Sequence, residues 1–186
     1  MPSRLSSIDM FDQPKRILVI GCPGSGKSHF SKRLSALLGI PRIHIDNLYW
    51  RADKTHITRE ELIAKYQEVF ALDSFVLDGN YVSTLENRLS QADAVFYFDL
   101  GEAACLEGIA ERFGKPRDDL PWIENQADNA TLTALVHDFG KEVTPVIEAS
   151  LAHQPEVNVI RFETRGEADC YLADLSREKE EVVSNP

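Results

Sequence analysis

The feature that most restricts what this chain can fold into is the run Gly21-Cys22-Pro23-Gly24-Ser25-Gly26-Lys27-Ser28. It matches G-x-x-x-x-G-K-[ST], which a chain of ordinary composition contains by chance on the order of 1% of the time. The apolar run Ile17-Leu18-Val19-Ile20 precedes it and a segment with helical period follows. Strand, glycine-rich turn and helix in that order gather backbone N–H groups at a helix N-terminus, where they bind anions. Gly21, Gly24 and Gly26 let the backbone curl closely enough for those groups to face a phosphate, an approach that larger side chains would block.

The motif sets expectations for its own residues. Lys27 is expected to bridge the β- and γ-phosphates of a nucleoside triphosphate, Ser28 to ligate Mg²⁺, and Gly21, Cys22, Pro23, Gly24, Ser25, Gly26 and His29 to complete the phosphate cradle. Cys22, inside the same nest of N–H groups, is a place where a thiol pKa is expected to fall, although its motif position tolerates many residues.

The rest of the chain alternates strand and helix patterns. Short apolar runs without polar alternation, as in strands covered on both faces, lie at Arg16–Ile20, Arg42–Ile45, Phe75–Leu77, Ala94–Phe98 and Val157–Phe162. Helical period marks Lys27–Leu38, closed by Gly39 and Pro41, and Arg59–Leu72, opened by the capping-box pair Thr58 and Glu61. Ala103–Phe113 and Thr131–Leu151 follow, the latter interrupted by Pro145. A last helix runs from the pair Thr164 and Glu167 to about Lys179. Residues 1–14 and 180–186 read as tails, and 15–179 as one domain. Strand-helix alternation with right-handed crossovers predicts an α/β fold, a three-layer α/β/α sandwich on a parallel sheet. Its ligands are expected beyond the carboxyl ends of the strands.

Residues just past those strand ends are therefore the candidates for chemistry. Asp78 ends Ser74-Phe75-Val76-Leu77 and is expected to hold Mg²⁺ or its water. Asp46 follows Ile43-His44-Ile45 and is expected to bind an acceptor hydroxyl or take its proton, with Tyr49 and Trp50 as an aromatic wall. His44 reads as a core histidine. The cations expected around a transferring phosphoryl group are Arg88, Arg112, Lys115 and Arg117. The last three lie at the end of a helical pattern and in the segment after it, where Gly114, Pro116 and Pro121 indicate a loop. That segment is expected to close as a lid near 112–128.

Composition narrows the function classes. A formal net charge of -10 over 186 residues disfavours direct binding to nucleic acid. Three widely spaced cysteines form neither a disulfide framework nor a metal pair, and no apolar run approaches membrane-spanning length. A cytoplasmic protein without membrane contact is expected.

The phosphate motif, His44-Ile45-Asp46-Asn47-Leu48-Tyr49-Trp50, Asp78-Gly79-Asn80-Tyr81, and Arg88 followed by Ala92-Asp93 occur together in order. In this the chain resembles the small bacterial P-loop kinases often labelled topology modulation proteins, a group similar to adenylate kinase and other nucleoside monophosphate kinases, over about Arg16 to Leu175. The resemblance implies a five-stranded parallel sheet, an ATP site at the phosphate motif and a lid between the last two strands. Adenylate kinase has Asp-Gly-Phe-Pro-Arg where this chain has Asp78-Gly79-Asn80-Tyr81, so the arginine that helps hold the acceptor's phosphate there is missing. The expected activity is ATP- and Mg²⁺-dependent phosphoryl transfer to a small molecule such as a nucleoside or nucleotide. The alternative is a nucleotide-binding regulator that signals to a protein partner. A GTPase switch is weaker, because no Asn-Lys-x-Asp stretch is present to read guanine.

Overall fold

A computed structural model describes residues 15–115, 120, 122 and 125–184. Five parallel strands, β1 (Arg16–Gly21), β2 (Arg42–His44), β3 (Phe75–Asp78), β4 (Ala94–Phe98) and β5 (Asn158–Phe162), form one sheet in the order β2-β3-β1-β4-β5. β1, β3 and β4 have neighbours on both edges and are covered on both faces. That is why they read as unbroken apolar runs: Ile17, Leu18, Val19, Ile20, Phe75, Val76, Leu77, Val95 and Phe96 are all sealed from solvent.

The helices are α1 (Lys27–Leu38), α2 (Ile45–Tyr49), α3 (Arg59–Phe70), α4 (Leu85–Leu89), α5 (Glu102–Arg112), α6 (Gln126–Asp138), α7 (Thr144–Ala152) and α8 (Arg165–Ser184). Strand pleat assigns them to layers, since alternate side chains point to opposite faces. Phe30 of α1 and Tyr171 of α8 pack with Phe96 and Phe162 of the sheet, at ring separations of 4.9 to 5.8 Å. On the opposite face Phe70 of α3 meets Phe75, and Arg161 both lies over the Tyr97 ring and pairs with Glu148 of α7. The sandwich is therefore three layers deep, as the alternation predicts.

Local signals fix several boundaries. Thr58 and Glu61 form the reciprocal capping box of α3, and Gly39 closes α1 with φ 70° while its N–H donates to Ser35 O at 2.9 Å. Elsewhere the structure departs from the sequence expectation. Ile45 leaves the strand to start α2, because His44 accepts the Asp46 N–H and caps a helical turn. The segment expected as one helix over Thr131–Leu151 is split: α6 begins earlier, at Gln126, and a π-helical turn at Phe139–Val143 joins it to α7. Pro145 supplies the reason, since it has no N–H to donate and its ring crowds the carbonyl four residues back. α8 continues to Ser184, so residues 180–184 are helical backbone rather than tail. The tail expected over residues 1–14 lies outside the described residues. Among the described residues no helix is long and apolar enough to cross a membrane.

Candidate active site

The loop between β1 and α1 folds as a tight cradle. Gly21, Gly24 and Gly26 have φ of 136°, 81° and 105°, a region closed to most side chains, and a Cβ on Gly24 would lie 2.1 Å from the Cys105 carbonyl oxygen of α5. The loop is packed backbone to backbone on that helix. Gly108, one turn on, completes the fit: a Cβ there would meet Gly24 O at 2.1 Å and Arg165 Nη2 at 2.4 Å. Arg165, at the start of α8, donates to Gly24 O at 3.1 Å and Ala104 O at 2.6 Å. Asn80 holds the loop from the other side, its Oδ1 accepting the Gly21 N–H at 2.8 Å.

This cradle opens on a cleft of about 820 Å³ lined by Gly24 through Ser28, His29, Lys32, Arg112 and Arg165 among others. Lys27 Nζ donates to Cys22 O at 2.7 Å, so the ammonium spans the nest. Burial lowers its pKa to about 8 from 10.5, with the charge of Arg112 acting in the same direction. Cys22 reverses its expectation. A hydrogen bond with Cys105, then burial, push its thiol pKa up rather than down, so it stays a neutral packing group beneath the loop.

The sheet register places Val19, Asp78 and His44 side by side at the strand ends. Asp78, 1% exposed, is pinned on the α1 side: it accepts from Ser31 Oγ, and from Arg42 Nε at 2.9 Å, while Oδ1 lies 2.9 Å from His44 Nε2. Burial alone would raise its pKa, but the hydrogen bond from His44, the charge of Arg42 and the Ser31 hydroxyl outweigh it and hold the carboxyl below its usual range. His44 is the residue that sequence reasoning missed. Its Nδ1 accepts the Asp46 N–H at 3.3 Å, which assigns the ring proton to Nε2, and Nε2 lies 3.2 Å from Ser28 Oγ. One imidazole thus touches the phosphate-loop hydroxyl, the buried Asp78 and the start of α2. The only available signal was its place two residues before Asp46 at a strand end.

Asp46 lies on the far side of His44, with 27% of its side chain exposed and Oδ2 3.7 Å from His44 Nδ1. Tyr81 donates its hydroxyl to Asp46 Oδ1 at 2.5 Å. Burial and the Asp46 charge push the Tyr81 pKa up, so the phenol remains a donor. Tyr49 packs on Tyr81 at 4.8 Å and stacks on His56 at 4.8 Å, and Trp50 meets Trp122 at 5.7 Å, so these rings form a packed aromatic cluster.

Arg88 requires a correction. Instead of facing the phosphate loop it is fully buried, donating from Nη1 to Gly79 O at 3.0 Å and from Nη2 to the carbonyls of Asn80 and Tyr81. It pins the 79–81 turn, in which Tyr81 has φ 35°, and so aims Asn80 at the loop and Tyr81 at Asp46. Arg88→Ala should cost about 3 kcal/mol, because three carbonyls lose a charged donor, and lower Tm by roughly 10 °C in a calorimetric scan. An unchanged Tm would contradict this structural role. Arg112 reaches the cleft beside Lys27, and Lys115 is exposed in the turn after α5. Arg117 and the middle of the segment expected as a lid lie outside the described residues.

Sheet order, glycine cradle and invading lysine together define a P-loop protein with a three-layer fold. No family model matches the chain. It is 30% identical over 167 residues to the adenylate kinase of Stenotrophomonas maltophilia strain R551-3, covering 85% of this chain and 86% of that one. To the adenylate kinase of Xylella fastidiosa strain M12 it is 32% identical over 120 residues, 61% of this chain, and the match spans only 63% of that relative's length. A gluconokinase from Sinorhizobium meliloti 1021 has a similar fold, with a TM-score of 0.52 and 19% identity over 91% of this chain and 96% of its own. The chain belongs to the adenylate kinase family.

Proposed function

We propose that the protein is an ATP-dependent phosphotransferase acting on a small molecule. The observation that carries this reading is the His44 bridge. It links the Ser28 hydroxyl, at the mouth of the phosphate cradle, to a partly open carboxylate at Asp46, so donor and acceptor positions lie on two sides of one imidazole. The N–H groups of the loop and Lys27 bind the β- and γ-phosphates, and Arg112 faces the same cleft and offsets charge as the terminal phosphoryl group moves.

Mg²⁺ fits this donor set. Ser28 Oγ and Asp78 Oδ1 are hard oxygen ligands within 3.2 and 2.9 Å of the same His44 nitrogen, and a cation that keeps waters and phosphate oxygens needs only one or two protein groups. Bound there, it would neutralise charge on the phosphates; Asp78 is kept ionised for that role by Arg42 and His44. The acceptor's hydroxyl proton goes to Asp46, whose other oxygen is held by Tyr81. Three unpaired cysteines and the use of ATP suit a reducing cytoplasm.

The test is a titration of the protein with MgATP by calorimetry, followed by ADP release measured with a small-molecule extract as acceptor. Binding with Kd below about 1 mM and turnover above the extract-free rate are expected, and failure to bind MgATP would overturn the reading. Lys27 adds a pH signature. A bound polyanion favours the charged ammonium and raises its pKa above the free value of about 8, so binding takes up a proton at higher pH. Affinity should be level between about pH 7 and 7.5 and fall above about pH 8, approaching roughly tenfold per unit. Calorimetry in buffers of different ionisation heat should show proton uptake nearing about one per site at about pH 9.

A further inference from the structure

We propose that Cys22 of the phosphate loop and Cys105 of α5 form a redox-sensitive pair that a peroxide converts to a disulfide, switching off nucleotide binding at the cradle. The switch rests on the phosphotransferase reading; the disulfide itself does not. Far apart in the chain, the two residues meet beneath the cradle, where their thiols share a hydrogen bond and are 3% and 0% exposed. Their backbones are packed as closely. A Cβ on Gly24 would lie 2.1 Å from the Cys105 carbonyl oxygen, and Cys105 Sγ in turn lies 3.7 Å from Leu100 O.

The surroundings assign the two sulfurs different parts. The hydrogen bond from Cys22, with the charges of Lys27 and Arg165, favours the Cys105 thiolate, and together they outweigh its burial. Cys105 is thus the attacking sulfur, and Cys22, which keeps its proton, resolves the product. The Cys105 sulfur attacks one peroxide oxygen, the O–O bond breaks, and the other oxygen leaves as water with the Cys105 proton, giving a sulfenic acid. The Cys22 sulfur then attacks the Cys105 sulfur, the S–O bond breaks, and a second water leaves with the Cys22 proton. Two electrons pass from the thiols to the peroxide.

The cradle cannot absorb this bond without moving. A disulfide draws the sulfurs closer than a hydrogen bond holds them. Gly24 has no room to follow, because its backbone already rests on the Cys105 carbonyl oxygen, so the loop must turn about that contact. The Cys22 carbonyl, which accepts from Lys27 Nζ at 2.7 Å, moves with it and carries the ammonium away from the phosphates. Oxidant enters when the ligand-free loop opens locally, and by linkage MgATP, which favours the reduced cradle, opposes oxidation.

The experiment treats the full chain with hydrogen peroxide. Cys170, exposed on α8, is replaced as Cys170→Ser so that only the pair remains. Mass spectrometry of the unreduced protein should show the loss of two hydrogens, located by digestion in a cross-linked peptide holding Cys22 and Cys105. The calorimetric Kd for MgATP should rise by roughly tenfold or more and return on treatment with dithiothreitol, and saturating MgATP should slow the cross-link. Oxidation of either sulfur without the cross-link, or a cross-linked protein with unchanged Kd, would overturn the switch and leave the phosphotransferase reading standing. Failure of the reduced protein to bind MgATP would overturn that reading and the switch together, even where the cross-link forms.

Discussion

Lys27→Ala is expected to lower kcat/KM for MgATP by roughly 10³-fold, because it removes the one side-chain cation that the loop itself supplies to the β- and γ-phosphates. The loss should appear in nucleotide affinity as well as turnover. In the ligand-free protein the same substitution should not lower Tm, since it relieves a buried ammonium whose partner is a carbonyl, Cys22 O, and not a carboxylate. Differential scanning calorimetry with and without MgATP separates the two effects. Equal ligand-induced stabilisation of the parent chain and the variant would remove Lys27 from the donor site.

Gly108→Ala should lower both stability and nucleotide affinity, and its sign is opposite to that of helix propensity. In an ordinary helix interior the change would stabilise by about 1 kcal/mol. Here the new methyl meets Gly24 O at 2.1 Å and Arg165 Nη2 at 2.4 Å, and Gly24 itself cannot retreat, because its own backbone already rests on Cys105 O. α5 and the phosphate loop must separate, which should cost about 3 kcal/mol and roughly 10 °C in Tm. MgATP affinity should fall by more than about tenfold as the cradle opens. A variant with raised Tm and unchanged affinity would show that the contact between α5 and the loop does not hold the cradle.

Much of the frame was legible before any coordinates. The five strands appeared as apolar runs because strands covered on both faces bury every side chain, and helix ends such as Thr58 with Glu61 and Gly39 act within a turn or so of themselves. The phosphate motif was legible for the same reason, since its geometry is set by glycines close together in sequence. The aromatic residues beside Asp46 were legible too, because Tyr49 and Trp50 follow it within one short helix and its C-cap.

Arg88 shows where such reading stops. An arginine after a strand-end motif looks like a catalytic cation, and only its burial on the Gly79, Asn80 and Tyr81 carbonyls shows that it shapes the turn. Cys22 is similar: the helix N-terminus argues for a lowered thiol pKa, whereas the Cys105 thiol, far away in sequence, reverses the direction. His44 looked like core because a histidine on a short apolar strand usually is. The sequence by itself determined the order of strands and helices, the phosphate cradle and its lysine, all of which depend on neighbours within a turn or two. Tertiary structure alone decided that His44 links Ser28, Asp78 and Asp46, that Gly108 and Arg165 brace the cradle, and that the Tyr81 hydroxyl donates to Asp46. Those outcomes depend on contacts between segments far apart in the chain, which a local pattern of side chains does not encode.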